Sequence, residues 1–192
     1  MKVLAFGEIL FDCYPTDRKI GGAPLNFCAH LAKLGAEVSI LSAIGKDSNG
    51  EEAVRIVKEF GVDTRYLQVS SHFPTGLCRV TYCEGEPQYE LVYPSAYDRI
   101  LENEKIYEES FDVFYFGTLA SRGETSQMSL QKLLKKGNFE QVFFDMNLRQ
   151  NFYSEELVTD GLLASDIVKM NRDEFAYVKE ISGILEQEYD KA

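Results

Sequence analysis

An α/β fold with an open, mainly parallel sheet and helices on both faces is predicted by three features of the sequence. Short apolar runs each end in Gly, Asp or Asn, helix-periodic stretches lie between them, and one strand-rich segment interrupts the alternation. The first run, Lys2 to Phe6, closes at Gly7, and Pro24 to Leu34 then spaces Leu25, Ala29 and Ala32 as one helix face before Gly35. Val38 to Ile44 forms a second strand closed by Gly45. A helix through Ala53, Val54, Ile56, Val57 and Phe60 follows and stops at Gly61. Farther on, Val113 to Phe116, Val142 to Phe144 and Ile167 to Met170 read as buried strands. Helices are expected over roughly Thr125 to Lys135, Glu155 to Leu163 and onward from Asp173. Such alternation implies right-handed βαβ units.

The interruption is a hairpin. Gly76 to Cys83 and Gln88 to Tyr93 are rich in Val, Thr and Tyr and are joined through Glu84-Gly85-Glu86-Pro87, with Tyr89, Leu91 and Tyr93 on one face at period two. The pattern alone leaves open a small projecting sheet, serving as a lid or an oligomer contact, and an antiparallel extension of the main sheet.

Composition narrows the class. The 192 residues are 45% hydrophobic and 27% charged, the balance of a globular chain with a core. No long apolar run predicts a membrane span, and the opening reaches Glu8 and Asp12 too soon for a secretory signal, so a cytoplasmic location and no membrane partner are expected. A net charge of −11 with no Lys/Arg stripe disfavours nucleic acid but leaves room for a single nucleotide held by backbone amides. Four scattered cysteines without a Cys-x-x-Cys pair read as reduced thiols. Cys28 is expected in the core, and a Cys78 to Cys83 bridge stays open.

In open parallel sheets ligands bind beyond the carboxyl ends of the strands. The residues there are unusually polar: Glu8 and Asp12, then Gly45, Asp47 and Gly50, then Asp145, Asn147 and Arg149, then Asn171 and Glu174. Each alone is a cap or turn residue, whereas their recurrence along one edge favours a site. Asp47 reads as a turn or cap residue that stabilises the second loop in preference to a substrate contact. The most specific segment, Gly21-Gly22-Ala23-Pro24-Leu25-Asn26, runs straight into a helix. Its glycines let backbone approach a ligand, Pro24 suits a first turn, and Asn26 offers both donor and acceptor. By itself it would be a glycine turn with no ligand.

In order, Gly7-Glu8-Ile9-Leu10-Phe11-Asp12, Gly21 to Asn26, Gly45-Lys46-Asp47-Ser48-Asn49-Gly50, Asp145-Met146-Asn147-Leu148-Arg149 and Asn171-Arg172-Asp173-Glu174 resemble the signatures of the ribokinase-like (PfkB) carbohydrate kinases across nearly the whole chain. The resemblance implies a single partial ribokinase-like domain over 1–192 with a small β lid formed by roughly 13–20 and 74–97. It places Asp12, Gly21, Gly22, Asn26 and Arg149 at the sugar, with Arg149 also within reach of the transferring phosphate. It places Asn171 and Glu174 at the nucleotide phosphates, with Glu174 near a magnesium ion and its waters. ATP and Mg2+ are the implied cofactors, a sugar and ATP the implied partners, and a homodimer through the lid the implied assembly.

Among members, Gly7 to Asp12, Tyr93 to Asp98 and Phe116-Gly117-Thr118-Leu119 look most like a fructokinase. Ribokinase, 2-keto-3-deoxygluconate kinase, nucleoside kinase and a non-catalytic sugar-binding module are the alternatives. The family's Gly-Ala-Gly-Asp segment, whose Asp is the catalytic base, does not occur here, nor does a Walker motif. No catalytic residue is therefore assigned, the base is expected beyond Ala192, and the chain alone is expected to be an inactive, truncated kinase.

Overall fold

The computed structural model describes residues 1–83 and 86–183. The centre of the predicted hairpin turn, Glu84 and Gly85, and the charged run after Gly183 lie outside the described residues.

Six strands form an all-parallel sheet. In spatial order they are β10 (Ile167–Lys169), β9 (Asn138–Asp145), β8 (Ser110–Gly117), β1 (Lys2–Phe6), β4 (Glu37–Gly45) and β5 (Leu67–Ser70). From β1 the chain first steps one way, to β4 and β5, with α1 (Ala23–Lys33) and α2 (Ser48–Glu59) on the way. Later it steps the other way, from β8 to β9 and β10, through α3 (Glu124–Lys136) and α4 (Glu155–Ala164), and ends in α5 (Arg172–Ser182). Crossovers of constant hand that run in opposite directions must place their helices on opposite faces. That is what the core shows. Val3 and Ala5 pack with Leu25, Cys28, Ala53 and Val57 of α1 and α2, while Leu4 and Phe6 pack with Leu130, Leu133 and Val158 of α3 and α4. Each apolar run is continuous because its strand is buried on both faces.

The hairpin is not an extension of this sheet. β6 (Gly76–Cys83) and β7 (Glu86–Leu91) pair antiparallel and join β2 (Leu10–Cys13) and β3 (Arg18–Gly21) in a separate four-stranded sheet of order β3-β2-β6-β7. Asp12 thus sits on a strand of the small sheet and not in a loop after β1. β2 and β5, four residues each, are too short to stand out in the sequence. Cys78 is a free thiol. It lies five residues from Cys83 along one extended strand, roughly 16 Å at the usual rise, so the bridge left open above does not form.

Local chemistry sets the helix starts. Gly22 precedes α1 with φ +110, and a Cβ there would stand 2.3 Å from the Glu8 carbonyl oxygen, so only glycine fits this approach. Asp47 caps α2 as expected, accepting from the Gly50 amide at 2.8 Å, and it also accepts from the Thr75 amide and hydroxyl at 2.9 and 2.7 Å. These bonds overcome the burial that opposes them and hold its carboxyl below the usual range. No helix among the described residues is long and apolar enough to cross a membrane.

Candidate active site

The carboxyl ends of β1, β8, β9 and β10, the start of α1 and one face of the small sheet enclose a cleft of about 870 Å³. Asp12, Gly22, Asn26 and Arg149 all line it. Asn26 comes from the first turn of α1, and its amide nitrogen donates to the Gly22 carbonyl at 2.9 Å. Asn26 and Arg149 are exposed, so their polar ends are free to meet a ligand. Gly21 lies one step behind the lining: a Cβ on it would stand 2.8 Å from Asp12 Oδ2, so its lack of a side chain makes room for that carboxylate. Burial raises the Asp12 pKa, against the opposing effects of the Cys78 thiol beside it and the charge of Arg149. The same contact and burial push Cys78 up to about 11.

Asn171 and Glu174 are not among the residues lining this cleft. They open α5 as a reciprocal cap: Asn171 Oδ1 accepts from the Glu174 amide at 2.9 Å, and Glu174 Oε2 accepts from the Asn171 amide at 2.8 Å. Glu174 Oε1 accepts a third bond, from the Leu148 amide at 2.9 Å. The helix-start carboxylate foreseen for Glu174 is present, and it reaches farther than its own helix.

Several other lining residues carry no signal in the sequence beyond polarity or apolarity at a strand end. Glu8 is 2% exposed, accepts from the Ala23 amide at 3.0 Å, and is pushed up to about 7 by burial, with Asp145 adding to the rise. Asp145 accepts from the Tyr115 hydroxyl and from Lys169 Nζ, both at 2.7 Å. Phe27 stacks on Tyr115 with ring centroids 4.1 Å apart and leans on Phe143. Tyr89 and Leu91 bring the apolar face of β7 to the opposite wall, as their period-two spacing predicts. Polar groups that both donate and accept, between aromatic and aliphatic walls, suit a small polyhydroxylated ligand.

The position of Arg149 depends on a loop with unusual backbone. Asn147 and Gln150 have φ of +41 and +50, and neither is glycine. Ties from neighbouring elements over-determine this loop. The Met146 amide donates to the Lys169 carbonyl at 3.0 Å, Thr118 Oγ1 donates to the Met146 carbonyl at 2.8 Å, and Gln150 Nε2 donates to the Tyr89 carbonyl of β7.

Comparison with known proteins bears on the family and the fold. A putative sugar kinase of Pyrococcus horikoshii is 27% identical over 179 residues, covering 88% of this chain and 56% of the relative. Probable fructokinase-5 of Arabidopsis thaliana is 24% identical over 200 residues, covering 92% of this chain and 61% of the relative. The chain thus spans less than two thirds of the length of either. In fold it is similar to a P. horikoshii sugar kinase crystallised with ATP, with a TM-score of 0.85 at 24% identity over 94% of this chain and 66% of that one. It is likewise similar to a fructokinase from Xylella fastidiosa, with a TM-score of 0.83 at 22% identity over 95% of this chain and 63% of that one. The pfkB family carbohydrate kinase model matches residues 2–188, from the first strand of the parallel sheet past the capped helix that follows its last, and the chain belongs to that family.

Proposed function

We propose that this chain supplies the sugar-binding half of an ATP-dependent kinase that phosphorylates a sugar hydroxyl, with fructose as the favoured substrate. The observation that carries the reading is the convergence of Asp12, Gly22, Asn26 and Arg149 on one cleft between the parallel sheet and the small sheet. Asp12 accepts from sugar hydroxyls, Asn26 both donates and accepts, the bare backbone at Gly22 lets the ring approach, and Arg149 donates to the sugar or to the arriving phosphate. The fructokinases among its relatives and structural neighbours support the choice of sugar.

ATP with Mg2+ is the phosphoryl donor in this reading. Asn171 would stand at the phosphates and Glu174 at the waters of the metal. Both Glu174 oxygens already accept backbone amides, and no cluster of three metal-binding side chains occurs among the described residues. That donor set fits an ion held mainly by phosphate and water, which is how Mg2+ prefers to bind. The metal supplies neutralisation of phosphate charge.

For the 192-residue chain by itself we propose sugar binding without turnover. Glu8, Asp145 and Glu174 are each committed to bonds within the protein, and Asp12, the remaining carboxylate of the cleft, is read as a contact that orients the sugar and not as the base. Pairing of two small sheets into a homodimer and a cytoplasmic location belong to the same proposal. The exposed Tyr82 and Tyr89 and the free thiols Cys13, Cys28 and Cys78 support them. The test is sugar-dependent ADP formation across a panel of fructose, ribose, 2-keto-3-deoxygluconate and adenosine. No turnover is expected, and a rate in the ordinary enzymatic range of about 1 per second or more would refute it.

A further inference from the structure

The carboxylate of Glu174 joins two parts of the molecule that its own helix cap does not require it to join. A reciprocal cap needs one bond from the N3 carboxylate back to the N-cap amide, and Glu174 Oε2 makes it to Asn171. Its other oxygen takes the amide of Leu148, 26 residues earlier, in the loop whose next residue is Arg149. Glu174 is only 7% exposed, so the two bonds form away from competing water, where charge-assisted hydrogen bonds are strongest. The loop it grips carries the two positive-φ residues Asn147 and Gln150, a backbone that persists only when its surroundings hold it.

We infer that Glu174 is a positioning residue for the sugar end of the cleft: one carboxylate clasps the Leu148 and Asn171 amides and so sets Arg149 against the ligand. The chemistry singles out glutamate. Both partners are N–H donors, and only a carboxylate presents acceptors on both oxygens; glutamine would aim its own NH2 at one of the two amides. Aspartate is one methylene shorter and cannot span both. The role is separate from any contact with a metal, because it operates through the backbone amides of Leu148 and Asn171. It rests on the reading of Arg149 as a sugar contact.

The test combines amide hydrogen exchange with calorimetry of D-fructose in EDTA and without nucleotide, on the wild-type chain, Glu174→Ala, Glu174→Gln and Ala176→Gly. In Glu174→Ala the Leu148 amide is expected to exchange roughly 10- to 100-fold faster and fructose to bind about tenfold more weakly. Glu174→Gln keeps one acceptor, so it should lose protection at one of the two clasped amides and fall between wild type and Glu174→Ala in affinity. Ala176→Gly weakens α5 at an exposed position without touching Leu148, Asn171 or Glu174. It should leave Leu148 exchange unchanged and fructose affinity within about threefold, which a purely helix-stabilising role for Glu174 would not allow. Unchanged Leu148 exchange in both Glu174 variants overturns the inference, as does unchanged fructose affinity in a variant whose Leu148 exchange has risen. Should the wild-type chain bind no fructose, the substrate reading fails while the exchange result still decides whether Glu174 holds the loop.

Discussion

The six-stranded sheet and the four-stranded sheet are held in place by different physics. In β4, eight of nine residues are buried and helices cover both faces of its sheet, so its cohesion is spread over many contacts, none decisive. In the small sheet β3 buries only Gly21, and Tyr82 and Tyr89 stand more than half exposed. Its inner strands β2 and β6 reach the core through Leu10, Phe11, Cys78 and Val80, while its outer strands β3 and β7 are held by discrete polar anchors. Arg18 of β3 pairs with Asn49 and Glu52 of α2, Gln150 reaches the Tyr89 carbonyl of β7, and at the root of the hairpin Arg122 meets Asp98. Distributed burial resists single substitutions, whereas an anchored element depends on a few side chains. The cleft lies between the two, so its floor is rigid and its cover is set by those anchors.

The largest expected break comes at Arg122. Its guanidinium is 2% exposed and bonds Asp98, the Val92 carbonyl and the Tyr97 hydroxyl, with the rings of Tyr93, Tyr97 and Phe152 around it. Arg122→Met leaves Asp98 buried without a cation and should cost about 3–5 kcal/mol in urea unfolding, with part of the loss recovered by adding Asp98→Asn.

The next effect sharpens the contrast from the rigid side. Glu8 is raised from 4.5 to about 7 by burial, so the protonated form is the one the fold favours. Its contribution to stability is full below about pH 4.5 and is lost as pH rises through 7, a change on the order of 3 kcal/mol. Glu8→Gln keeps an acceptor for the Ala23 amide and should flatten the stability profile between pH 5 and 8. A persistent slope of the same size would place the titration elsewhere. The smallest effect on stability is at the exposed Gln150: Gln150→Ala should change unfolding free energy by no more than about 0.5 kcal/mol while speeding amide exchange in β7.

What the sequence disclosed follows the same division. Strands buried on both faces write continuous apolar runs, so β1, β4, β8 and β9 were legible, and Asp47 was readable as a cap because its partner Gly50 is three residues away. The glycines before α1 were legible as a close backbone approach, which Gly22 makes to the Glu8 carbonyl, whereas only the resemblance made them and Asn26 candidates for a site. The anchors were not. Arg122 and Asp98 lie 24 residues apart, and Glu8 meets an amide 15 residues on, so nothing in their neighbourhoods announces a partner. Cys78 reaches the cleft because its register with Asp12 puts it on that face, which only the pairing of β2 with β6 decides. Glu174 was expected at the start of a helix, and its grip on Leu148 is a long-range contact that the resemblance does not contain.

Calorimetric titration of D-fructose into the wild-type chain, Asp12→Asn and Asn26→Ala asks directly whether the polar rim shared by the two sheets is a sugar site. Saturable binding by wild type, weakened roughly tenfold or more in each variant with melting behaviour retained, is the predicted result. Hexose binding of equal strength in all three proteins, or none in the wild type, would contradict it.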